Sequence, residues 1–74
     1  MRGVVAQALA SARVVVFAQP VAGFTTVALT ADAEVVRSNG TKAAITDAVA
    51  GATVEATGRP GTAGTLLARR LVVP

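Results

Sequence analysis

Turn-forming residues recur along the whole of this chain and divide it into short pieces. They fall at 10–12, 20–23, 30–32, 38–41, 51 and 58–64. The segments between them that are rich in Val and Thr are 3–9, 13–19, 24–30, 33–37, 53–57 and 65–73. A branched Cβ fits a pleated surface better than a helical one, so each of these segments reads as a strand. Short strands at this spacing, joined by Gly-rich turns, predict an all-β sandwich or barrel. The expectation is five to six antiparallel strands in one domain spanning 1–74.

Alternation within the segments says which residues point inward. In 53–57, Val54 and Ala56 share one face while Thr53, Glu55 and Thr57 share the other. Val27 and Leu29 pair in the same way within 24–30. The last strand breaks the rule, because Leu66 and Ala68 have one parity and Leu71 and Val73 the opposite one. Arg69 and Arg70 lie between the two pairs. A β-bulge at these arginines brings both apolar pairs to one face; a strand end buried on both sides is the alternative.

Two loops carry further signals. The Asn39-Gly40 pair favours a tight turn with positive φ, and this reading is preferred over the glycosylation sequon that Asn39-Gly40-Thr41 also spells. After it, 42–50 is the one stretch with helical character. Thr46 or Asp47 can cap a short helical turn at 46–50, closed by Gly51. Longer helices are not expected, since every Ala run is broken by Val, Thr or Gly.

At 74 residues, with 53% of them hydrophobic and mostly Ala and Val, the core is thin. There is no Cys and no His, which excludes disulfide scaffolds, redox dithiols and zinc fingers. The uncharged run 14–31 approaches the length of a membrane span, but Gln19, Pro20 and Gly23 interrupt it. Two strands joined by a turn explain it better, so no transmembrane segment is expected. The first twelve residues have the outline of a signal peptide ending in Ala10-Ser11-Ala12; a first strand and its turn is the simpler reading.

The same composition removes most catalytic chemistry. Nucleophilic triads need a base, and Ser11 and Ser38 have none to partner them. Asp32 and Glu34 stand two apart on one strand, an arrangement that reads as a solvated turn edge rather than a cation site. Neither a cofactor nor a metal is expected, and the chain is not read as an enzyme. Phe17 and Phe24 are its only aromatics, and both lie in apolar contexts that suggest core. The net charge of +3 comes from scattered arginines. Arg13, Arg37, Arg69 and Arg70 are the candidate contacts for an anion or a partner.

Taken together, the segments resemble a small bacterial β-barrel domain of unknown function, common in exported or envelope-associated proteins. The resemblance is carried by Gly3-Val4-Val5, the strand 14–17, Thr26-Val27-Ala28-Leu29-Thr30, Asn39-Gly40, Thr46-Asp47-Ala48, Gly51-Ala52-Thr53-Val54-Glu55-Ala56-Thr57-Gly58 and the closing run from Gly64 to Leu71. Ala48 stands where that family usually has a larger apolar residue, and 59–63 replaces its usual hairpin. The resemblance implies an OB-like barrel and an exported or cell-envelope location, and it brings no catalytic residue. A native N-terminus would instead imply the cytoplasm.

The function expected is a structural or protein-interaction module. Its partner is a second copy or another protein, docked through strand edges, with 3–9 and 65–73 as the candidates. The alternative is nonspecific binding of single-stranded nucleic acid or another polyanion.

Overall fold

In a computed structural model that describes residues 1–74, the chain forms five strands. These are β1 (Arg2–Leu9), β2 (Val14–Val21), β3 (Phe24–Arg37), β4 (Thr53–Pro60) and β5 (Thr65–Val73). They close in the order β1-β2-β3-β5-β4 and back to β1, an all-β barrel of OB-like form. Four of the five pairings are antiparallel as expected, but β3 and β5 run parallel. A parallel pair needs a long crossover. The segment 38–64, containing β4 and a single 3-10 turn at Ile45–Asp47, is that crossover.

The core lies inside the barrel and is built of small side chains. Val15, Val27 and Leu66 are successive register partners across β2, β3 and β5, and all three are buried. Val5, Phe17, Val54, Ala56, Ala68, Leu71 and Val73 complete the same cluster, with Phe24 packed partly buried against it. Ala48 is also in it, at 1% exposure. Gly3 faces inward with no room to spare: a Cβ on it would lie 2.8 Å from the Phe17 ring and 2.9 Å from Val21 Cγ2.

The bulge expected at the two arginines is present. Thr57 of β4 pairs with Arg70 while Gly58 pairs with Ala68, so Arg69 is the extra residue. Leu66, Ala68, Leu71 and Val73 are consequently all buried, and Arg69 and Arg70 are both exposed. Gly58 is needed opposite this bulge. A Cβ there would run into the Leu67 carbonyl oxygen and lie 2.6 Å from Ala68 Cα, both backbone atoms.

Three local expectations are corrected. There is no turn at 30–32, and 33–37 is not a separate strand, because β3 runs unbroken from Phe24 to Arg37. Its register against β5 steps from Leu29↔Ala68 to Glu34↔Arg70, so residues 30–33 arch outward opposite Arg69 and rejoin the ladder. The helical turn is one residue early, at Ile45–Asp47, and Asp47 caps it from the far end by accepting the Ala44 N–H at 2.9 Å. Finally, 65–73 is no edge, since β5 is paired to β3 and β4 on its two sides.

The first strand is an edge only in halves. Residues 2–4 pair with β4, while residues 5–9 pair with β2. Residues 18–20 of β2 have register partners on neither side, since β3 resumes only at Val21↔Phe24. Pro20, which has no N–H to offer a ladder, sits in that stretch. No helix is long and apolar enough to cross a membrane, and the uncharged run 14–31 is β2 and the first half of β3.

Candidate functional site

The four arginines singled out by sequence do not converge. Arg37, at the end of β3, places its guanidinium 3.1 Å from the Asp47 carboxylate. That carboxylate also holds the Ala44 N–H, so Arg37 ties the 3-10 turn to the barrel. Beside it the chain folds back in a turn closed by the Gly40 N–H donating to Arg37 O at 2.8 Å, with Gly40 at φ +90 as the Asn39-Gly40 pair predicts. Asn39 Oδ1 steadies this turn by accepting the Thr41 N–H and hydroxyl.

Arg13 ends the β1–β2 turn at φ 54, the left-handed region that a residue with a Cβ rarely occupies. It is held at two points. Its carbonyl accepts the Leu29 N–H at 2.9 Å, and its guanidinium donates to Thr30 O at 3.2 Å. The side chain thereby stands at the rim of an open cleft of about 680 Å³ between this turn, the second half of β3 and the segment 40–45. Leu29, Val35, Ala43 and Ile45 line the cleft and back onto the core. Lys42 lies on its opposite side, brought there by the Asn39-Gly40 turn and the bridge Val36↔Lys42. Lys42 was missed because 42–50 reads as helical in isolation; the turn before it was the available signal, since it folds the chain back along β3.

Arg69 and Arg70 both face outward at the bulge. Neighbours on a regular strand point to opposite faces, so the bulge makes a same-side pair that alternation would forbid. Arg69 and Arg59 line a shallow depression together with Asp32 and Thr57. The Asp32 carboxyl is held below its ordinary value, first by the Thr30 hydroxyl that donates to it at 2.8 Å, then by its own backbone, with Arg69 adding attraction. Asp32 and Glu34 do not form a site. The arch of β3 places Asp32 in this depression and Glu34 on the wall of the cleft beyond Arg13. No group of three acidic residues gathers anywhere in the fold.

A third feature lies at the start of β1. A gap of about 410 Å³ separates residues 2–4 of β1 from residues 18–21 of β2. Val4 stands over it at 45% exposure, among the few large apolar side chains left in solvent. The sequence carries a mark of this gap in Pro20, which stops the ladder.

No family model, curated protein or solved structure matches the chain. What the structure carries of the expected resemblance is the small closed barrel of OB-like form.

Proposed function

We propose that this chain is a non-catalytic interaction module that associates with a second copy of itself by adding strands across the gap between β1 and β2. One observation carries the reading: residues 2–4 of β1 have no partner on β2, and residues 18–20 of β2 have none on either side, so backbone is left unpaired where the two stretches face each other. Backbone groups left there are a template for another strand. Val4 supplies an apolar contact beside them. A chain with a mean hydropathy of +0.61 and a core of Val and Ala also gains from burial that its own fold does not complete.

Sedimentation velocity at micromolar concentration tests this. A concentration-dependent dimer is expected for the wild type, and Val4→Lys, which sets a charge on the docking face, shifts it to monomer while leaving its circular dichroism unchanged. A wild type that stays a compact monomer across the accessible range overturns the reading.

Polyanion binding is supported by a separate observation, the same-side placement of Arg69 and Arg70 with Arg59 nearby. It predicts retention on heparin that falls steeply with salt and is lost in Arg69→Glu/Arg70→Glu. Asp32, kept ionised within the same depression, works against it.

A further inference from the structure

The cleft at the far end of β1 from the gap is a different kind of place. Its floor is apolar: Leu29, Val35, Ala43 and Ile45 are each half-buried against the core and half-open to the cleft. Its rim is cationic from two sides, Arg13 on the β1–β2 turn and Lys42 after the Asn39-Gly40 turn.

Three of the four acids are engaged away from these cations. Asp47 is paired with Arg37 at 3.1 Å and Glu55 with Arg2 at 3.5 Å. Asp32 is bonded to Thr30 and lies in the depression with Arg69. Only Glu34 shares the cleft, against two cations, and Lys42 forms no ion pair.

Arg13 adds a second argument. Its φ of 54 is a conformation in which Gly is at ease and a residue with a Cβ is strained. The turn would be better made with Gly, yet it carries a long cation, and that cation is aimed by a fixed carbonyl and a fixed backbone bond. The arch of β3 at 30–33 also matters, because it supplies the Thr30 carbonyl that aims the guanidinium.

We propose that this cleft binds a small amphipathic anion: a carboxylate head between Arg13 and Lys42, and a medium-length apolar tail laid on Leu29, Val35, Ala43 and Ile45. Its volume falls in the range of small-molecule sites. The head is recognised by charge-assisted hydrogen bonds and the tail by burial. The site does not depend on strand addition at the gap, and each can fail without the other.

The test is methyl and amide NMR of the full chain titrated with decanoate below its micelle concentration, beside decanol and acetate. Shifts confined to Leu29, Val35, Ala43, Ile45 and their neighbours are expected with decanoate, with decanol and acetate each at least about tenfold weaker. Arg13→Gly should weaken decanoate binding by about tenfold while the melting temperature stays or rises, since it relieves the backbone as it removes the cation. Lys42→Gln should weaken it as well with no change in stability. Shifts centred on Val4 and Pro20, equal binding of decanol, or unaltered binding by Arg13→Gly would each overturn the proposal.

Discussion

Every strand of this barrel pairs with two neighbours, but β5 and β1 do so differently. The wall formed by β3, β5 and β4 holds β5 on both sides along nearly its full length. On the opposite side, β1 is shared between β4 for its first residues and β2 for the rest, and the ladder fails where the two halves meet. The wall absorbs its irregularities: an extra residue at Arg69 and an arch at 30–33 stand opposite each other, and pairing resumes beyond both. At the seam, the irregularity in β2 contains Pro20 and coincides with the end of the pairing to β1. A bulge placed against a bulge preserves a ladder, whereas a bulge at a proline ends one. Unpaired backbone is left at the seam for that reason.

Substitutions can break or sharpen this contrast. The largest effect is expected from Leu71→Ala in the wall, where a fully buried side chain at 0% exposure becomes a cavity. It should lower unfolding free energy in urea by about 3 kcal/mol, which leaves a small domain with little margin. Next is Gly58→Ala, whose new methyl meets the backbone of β5; a loss of about 2–3 kcal/mol is expected from strain that has no side chain to relax. Gly3→Ala at the seam meets only the Phe17 ring and Val21. Those side chains can yield, so about 1 kcal/mol is expected. Equal losses for the two glycines would mean that the seam is as rigid as the wall.

Smaller changes probe the ends of the same strands. Ala22 and Gly23 both have positive φ in the two-residue turn between β2 and β3. Ala22→Gly should therefore stabilise by roughly 0.5–1 kcal/mol, read as a raised midpoint in urea. The smallest expected effect is electrostatic. Because the folded Asp32 carboxyl lies below its ordinary 3.8, its contribution to stability is complete above that value and is lost as pH falls through the lowered one. Thr30→Val removes the largest cause, and an NMR titration should show Asp32 returning toward its ordinary value with little change in melting at neutral pH.

Much of the wall was legible from residue order. The parity switch between Leu66/Ala68 and Leu71/Val73 implied a bulge at Arg69 and Arg70, because only an inserted residue lets both pairs face one core. Val54 and Ala56 were legible in the same way. Residues 30–33 were not, since Thr, Ala and Asp serve a turn or an arch equally well and the choice belongs to β5. The cleft was half legible: Arg13 was named for its charge, whereas Lys42 reached the same rim through a turn whose partner strand is local sequence's blind spot. The split of β1 between two neighbours had no sequence mark beyond Pro20.

Short β-branched segments, frequent turns and alternating small apolar residues were enough to specify strands, their inward faces and an all-β sandwich or barrel, because strand propensity and side-chain alternation act over a few residues. The parallel β3–β5 pairing, the arch that separates Asp32 from Glu34, and the places where closure fails depend on which strands become neighbours. Those are contacts between residues far apart in the chain. Closing the barrel sets them, because one register must satisfy the backbone of five strands at once.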